Sequence, residues 1–344
     1  MRRFDIVLTD ATSGNVLRRW NSHSDAGIFN PGAPLVEFDI TVNQYGDAGA
    51  GNDFIRIWGI PIQDISYARQ LFPKPNASPS ANISVSAGMA SGLPLASASQ
   101  YGPITFGIVA QSFGNWQGTN QFLDILLASS IPVDLSANPT GGIVFSWKKG
   151  TLISDAIKSC LSLSYPKKII NISIQSITAT EDHYGIYKSL DQLALTITQL
   201  TAGKVIIPKS ANAPASQAAP IYDGVKIIRT PSGGFSVFDA LTATAPKAIS
   251  FVDLVGQPTW VNNSEAQLQL IMRSDIGVGD IVSLPSTQVT QNSLTRSGDQ
   301  SGFIGKSSAL TFTGNYRVIS VRHVGNSKSP DGSAWVTIIN CIPA

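Results

Sequence analysis

Strict alternation in the last third of the chain constrains its fold more than any other feature. Residues 266–273 read AQLQLIMR, with Leu268, Leu270 and Met272 at every second position. Successive side chains of a strand point to opposite faces, so this period belongs to a β-strand with one buried face. Residues 251–255 before it are mostly apolar, and Gly256-Gln257-Pro258 makes a turn. After it comes a polar turn, Asp275 to Asp280, in which Gly277 and Gly279 can supply the positive φ of a short connection. A second strand at 281–284 is stopped by Pro285. Two further alternating runs, 316–325 and 334–343, flank the polar loop NSKSPDG. Together these strands predict a small antiparallel barrel.

The first 130 residues carry the same signature. Strands are expected at 4–9, 16–20, 35–45, 54–62, 83–87, 104–114 and 120–129, the first two as a hairpin. In the third, Val36, Phe38, Ile40 and Val42 share one face. Short antiparallel strands at this spacing suggest a barrel or sandwich. The period then changes. Leu152, Ile153, Ala156, Ile157, Cys160 and Leu161 recur at helical spacing behind Thr151, a natural N-cap. A strand follows at 169–177. Ser189 and Gln192 have the spacing of a capping box before a stripe of Leu190, Leu193, Ala194, Ile197 and Leu200, which Gly203 ends. A short strand at 205–208 and a hairpin about the Pro231 to Gly234 turn complete this part. The fold class is therefore mainly β with a small α/β part. Two antiparallel β-barrels, at 1–145 and 246–344, flank a small α/β domain at 146–245.

Composition narrows the function. Charged residues make up 13% of the 344, about half the usual quarter, and Ser, Thr, Asn, Gln and Gly take their place. A surface poor in charge suits a subunit packed permanently against neighbours, because charges are depleted at interface cores. A low-charge secreted β-protein would have the same composition. The net charge of +2 leaves no electrostatic footprint for nucleic acid. No apolar run approaches the ~20 residues of a membrane helix, and the N-terminus lacks the apolar centre of a signal peptide. Two cysteines, Cys160 and Cys341, make no disulfide framework and point to assembly in a reducing cytoplasm.

Catalytic motifs are missing from the sequence. There is no HExxH, CxxC, Walker A or GxSxG pattern. Of three histidines, His23 lies in a Ser/Asn-rich loop and His183 follows Glu181-Asp182. Adjacent residues rarely aim at one ion, so a solvated loop is the expectation there. His323 is expected to face outward from a strand. GDAGAGN, from Gly46, joins two strands and does not open a helix, so it reads as a turn and not a phosphate loop. No catalytic, cofactor-binding or metal-ligating residue is assigned, and no enzyme activity is expected. The tryptophans, Trp20, Trp58, Trp116, Trp147, Trp260 and Trp335, could stack on sugars, although core or subunit contacts are the commoner use.

The segments GQPTW (from Gly256), LQLIMRSDIGVGDIVSLP (from Leu268), YRVISVRHVGNSKSPDGSAWVT (from Tyr316) and the terminal NCIP resemble the tail hub proteins of contractile-tailed bacteriophages. The order of parts is similar too: a first barrel, a G-x-L-xxxx-I helix from Gly150, a second capped helix and a last barrel. The resemblance covers most of the chain and is strongest over 249–343. It implies a homotrimeric ring at the centre of the baseplate, adapting a hexameric tail tube to a trimeric central spike. The other partners it implies are baseplate wedge proteins, with DNA passing through the lumen and no membrane insertion. The implied location is the virion, after assembly in the host cytoplasm. Related hubs of type VI secretion carry a fused spike, and some phage hubs a lysozyme. Here the sequence stops at Ala344, and those activities are expected in separate partners. The loops at 88–103 and 286–310 are the candidates for neighbour contacts. A carbohydrate-binding or adhesin module, using Trp116 or Trp147, is the main alternative; a peptidoglycan hydrolase lacks a paired acid/base signal.

Overall fold

The computed structural model describes residues 1–42, 44–45, 53–70, 81–90, 98–128, 141–205, 222–242, 245–262, 265–284 and 314–344. In chain order the elements are β1 (Arg2–Asp10), β2 (Val16–Asn21), β3 (Leu35–Val42), β4 (Phe54–Trp58), α1 (Ile62–Gln70), β5 (Ala81–Met89), β6 (Gly102–Gln117) and β7 (Asn120–Leu127). The middle of the chain gives β8 (Ile143–Trp147), α2 (Ile153–Ser164), β9 (Ile170–Ser173), β10 (His183–Tyr187), α3 (Leu190–Thr201), β11 (Lys226–Arg229) and β12 (Phe235–Phe238). The last part contributes β13 (Lys247–Ala248), β14 (Thr259–Trp260), β15 (Ala266–Ile271), β16 (Ile281–Leu284), β17 (Gly314–Asn326) and β18 (Trp335–Pro343).

The chain is mainly β, as its alternation predicts, but the strands are joined differently. One 13-stranded sheet runs β14-β15-β18-β17-β3-β4-β7-β6-β5-β1-β2, with β13 and β16 as a branch on β17. Among the described residues no strand pairing closes it into a barrel. The reason is the length of β17. Its 13 residues offer more edge than β16 can use, so β16 takes Gly314 to Arg317 and β3 takes Val321 to Asn326. The two strand-rich parts of the chain thus share one ladder. The strands of 266–273 and 281–284 are also not neighbours: β15 pairs with β14 and β18, whereas β16 pairs with β17 and β13. Of the two glycines in the turn between them, only Gly279 has positive φ, at 91°.

Three apolar clusters fill the interior. One lies under β1, β3, β4, β5 and β7 and includes Met272 and Trp335 from the far end of the chain. A second packs α2 and α3 against β8, β11 and β12. The third fills the space under β15, β16, β17 and β18. Val36, Phe38 and Ile40 are all buried, and Leu268, Leu270 and Met272 are fully so. At the shared ladder the Phe38 ring meets Trp335 edge-on, 5.3 Å between centroids, and lies where a Cβ on Gly325 would stand, 2.3 Å from its nearest atom.

Local expectations meet specific competitors. The strand expected over 54–62 ends at Trp58, because Gly59 turns at φ +71°, and α1 opens behind Pro61. The N-cap of α2 is Leu152, without a side-chain cap. Leu152 is held in a bridge to Thr178, while the Thr151 hydroxyl donates to the Lys148 carbonyl. α3 has the expected Ser189 cap, whose oxygen accepts from the Gln192 N–H. The Gln192 side chain returns to the N–H of Lys188, one residue earlier than in a capping box. The strand expected over 169–177 is confined to β9, and 206–208 lie outside the described residues.

Buried polar groups tie distant parts of the chain together. Arg273 is held by both oxygens of Asp275 at 2.8 Å and by Asp253 at 3.3 Å, and Asp253 also accepts from Gln100 at 2.9 Å. The Ser274 N–H donates to the Gln100 carbonyl. Such a pair is costly to break, because the surviving charge stays buried without its partner. His323 corrects its outward assignment: it is 3% exposed, with Nδ1 3.0 Å from the Thr337 hydroxyl. Burial alone drives its pKa down to about 4. Asp53 is likewise buried, and desolvation lifts its carboxyl to about 6, outweighing a Thr41 N–H bond and Arg229 at 3.7 Å.

Two outcomes follow from this packing. Gly325→Val drives a side chain into Phe38 and lowers stability by about 1–3 kcal/mol, the usual cost of overpacking, as urea titration would measure. For pH, the unfolded chain binds the His323 proton near 6.5, and the native chain only near 4. The native state therefore loses His323-linked stability as pH falls from about 6.5 to 4, by roughly 3 kcal/mol in all. Asp53 acts in the opposite sense, its contribution fading as pH rises from about 4 to 6. His323→Leu removes the first term, so wild type destabilises more steeply than the variant on acidification. Equal slopes would count against a neutral buried His323.

Candidate interaction site

The residues singled out for chemistry do not converge. His23 is buried, with Nδ1 2.9 Å from the Ser22 hydroxyl and its ring edge-on to Phe29. His183 lies on β10 rather than in a loop, stacked on Trp147, with Glu181 3.8 Å away. Asp182 is turned elsewhere, accepting from the Lys149 N–H and the Tyr184 hydroxyl. Among the described residues no group of three or more His, Cys, Asp or Glu is placed to hold a metal. Burial pushes the Cys160 and Cys341 thiols up to about 12, which suppresses the thiolate form needed for nucleophilic attack. The 46–52 turn and residues 286–310 lie outside the described residues, as do 91–97 of the other long loop.

The tryptophans divide cleanly. Trp20, Trp147 and Trp335 are core residues, which removes Trp147 as a sugar platform. Trp116 is 62% exposed at the β6–β7 tip, its indole N–H donating to the Gly118 carbonyl. Trp260 is exposed on β14, near Phe251, Val252 and Val261 in sequence. Trp260 lies on β14, at one end of the sheet, and Val261 follows it, while Phe251 and Val252 lie in a short 3-10 helix earlier in the chain. At the opposite end β2 is guarded by charge: Arg18 pairs with Asp64, and Arg19 with Asp5 and Asp25. Among the described residues, neither β2 nor β14 has a strand partner on its outer side.

Trp58 marks a concavity that combines aromatic and polar walls. Its indole packs on Phe122, centroids 4.5 Å apart, and donates to Glu37. Arg56 lies over Phe122 and is paired with Asp124 through two hydrogen bonds. Beside it opens a cleft of about 400 Å³, whose walls include Pro31, Pro34, Trp58, Asn120, Gln121 and Lys328.

Three remote segments join Trp58 and Gly59 to build this cleft. The Pro31–Pro34 wall is set by Asn30, whose side chain accepts the Gly32 N–H, and by Ala33 buried in the core. The Asn120–Gln121 wall follows a two-residue turn that needs positive φ at Gly118, and Gly59 is bonded to the Gln121 carbonyl. Lys328 comes from the β17–β18 loop. There the Asn326 side chain accepts the Lys328 and Ser329 N–H groups and donates to Glu37. The Arg2 guanidinium clamps the same loop through the carbonyls of Asn326, Ser329 and Asp331. Periodicity could not reveal such a site, because its walls are loops and strand ends brought together by the ladder.

No protein-family model matches the chain, and no curated protein matches it in sequence. Among solved structures, a tail protein from Neisseria meningitidis MC58 superposes with a TM-score of 0.47 at 9% identity, covering 99% of this chain and 96% of that one. The 43 kDa tail protein of prophage MuSo2 from Shewanella oneidensis gives 0.49 at 8% identity, covering 99% and 98%. Both are likenesses of overall shape, and the functional argument rests on the residues.

Arg2→Met removes every donor of the clamp. Amide hydrogen exchange over residues 326–331 is expected to accelerate, with a stability loss of about 1–3 kcal/mol from the lost charged hydrogen bonds. Unchanged exchange there would show that the Arg2 guanidinium does not hold the loop.

Proposed function

We propose that this chain is a structural subunit of a phage tail, the central hub of a contractile baseplate. In this reading it is a homotrimer that adapts the hexameric tail tube to a trimeric spike, contacts wedge proteins and lets DNA pass during ejection. It has no catalytic role of its own. The reading rests on the resemblance of residues 249–343 to hub proteins, and one structural observation carries it further. A 13-stranded sheet joins both strand-rich parts, and among the described residues no further strand is paired outside β2, β14 or, on its branch, β13.

Open edges invite pairing, and natural proteins cover or charge them. Here the β2 end is charged at Arg18 and Arg19, whereas at the β14 end Trp260 and the following Val261 are exposed. Exposed apolar surface of this kind is expected where another chain will lie. If the apolar end meets a different surface of the next subunit, the contact is heterologous and forms a ring when the rotation closes. The chain's low charge is what such a subunit needs. Two barrels per subunit, closed by neighbouring chains and not within one chain, would give the pseudo-sixfold ring that a hexameric tube requires.

Light scattering of the purified protein, with negative-stain imaging of the same sample, is the test. A mass near three chains with a central hole is expected, and Trp260→Glu with Val261→Lys should shift it toward monomer without altering the circular dichroism. A monomer at every concentration, together with virions that lack this chain at the baseplate centre, would overturn the reading.

A further inference from the structure

We propose that the cleft beside Trp58 is a carbohydrate-binding subsite that takes an oligosaccharide bearing an acidic group. A pyranose ring has an apolar C–H face and a rim of hydroxyls. The cleft offers the matching pair: an indole and two prolines on its walls, and the Asn120 and Gln121 amides beside them. Side-chain amides both donate and accept, as a hydroxyl rim demands. Pockets that recognise small ligands combine apolar walls with a few placed polar groups in this way.

The charge in the cleft selects among sugars. Lys328 is exposed at its rim and makes no ion pair among the described residues. Its loop is held in place by Arg2 and Asn326, so the ammonium projects from a fixed base. Glu37 is already engaged by Trp58 and Asn326, and Asp331 of the Lys328 loop by Ser333. A carboxylate or phosphate on the sugar would therefore find one cation to bind. No His, Cys, Asp or Glu lines the cleft, so it would hold a glycan without cleaving it.

A peptide fits less well. Extended peptides dock by adding a strand to a free edge. The strands that wall this cleft, β3, β4 and β7, each have neighbours on both sides, so their backbone groups are already paired. What remains is side-chain recognition, which suits hydroxyls. The site is independent of the hub reading, since it lies on the sheet's middle strands and not on its open edges.

The test is a glycan array holding uronic-acid and sialic-acid oligosaccharides with their neutral counterparts, followed by calorimetry with the strongest binder. Acidic glycans should bind. Lys328→Gln should weaken them about tenfold, the value of one charge-assisted hydrogen bond, and Trp58→Ala should abolish binding. Because Trp58 also packs on Phe122, the surface pair Asn120→Ala with Gln121→Ala serves as a second variant that leaves the strands intact, and it too should weaken binding. No glycan bound, binding that none of these variants changes, equal affinity for neutral and acidic forms, or capture of a proline-rich peptide in their place would each overturn the proposal.

Discussion

The antiparallel pairing of β3 with β17 is the contact on which the rest depends. Strands about 280 residues apart in sequence exchange backbone hydrogen bonds from Val42 and Val321 to Glu37 and Asn326. A loop of that length costs little more entropy to close than one half as long, because the penalty grows only logarithmically. What decides the pairing is fit. Gly325 has no side chain, so the Phe38 ring can lie across it and reach Trp335. Met272 and Trp335 then join the N-terminal core, and the two ends of the chain become one packed body there.

Around this ladder the polar groups follow a consistent division. On the outer face Arg322–Asp39 and Arg56–Asp124 are partly exposed, and pairs of that kind contribute little to stability. Inside, Arg273 and Asp253 are almost dry, with the partly exposed Asp275 beside them. Such a group adds little net stability compared with apolar packing, but it penalises any arrangement that leaves one partner unpaired. It therefore fixes how residues near Gln100 sit against the C-terminal strands. Asp53 and Arg229 stand at a corresponding join between β11 and the start of β4. The cleft near Trp58 is a product of the same ladder, since Lys328 follows β17 and the Pro31–Pro34 wall precedes β3.

Much of the secondary structure was legible in the residues. The alternation at 266–273 and the helical stripes before Ser164 and Thr201 each identified their element and buried face. The hairpin about the Pro231 to Gly234 turn was also read correctly. What failed were features with two local meanings. His323 between Arg322 and Val324 looks like an outward position on chemistry. By parity it shares a face with Val321 and Gly325, and that face is buried. Thr151 is a good cap by type, yet the bridge of Leu152 to Thr178 set the helix start. The tip after Trp58 held an apolar run that a strand and a helix could both use, and Gly59 with Pro61 decided for the helix.

The sequence by itself determined most of the strands, the helices α2 and α3 with the faces they bury, and the scarcity of charge, but not α1, β8 or β10. These depend on side-chain period and local turn chemistry, both of which are written within a few residues. Only the tertiary structure decided which strands are neighbours, that both strand-rich parts share one open sheet, and that Pro31, Trp58, Gln121 and Lys328 meet around a cleft. Strand edges carry the same backbone donors and acceptors whatever their side chains, so pairing is chosen by packing across the whole molecule. No short window of residues contains that choice.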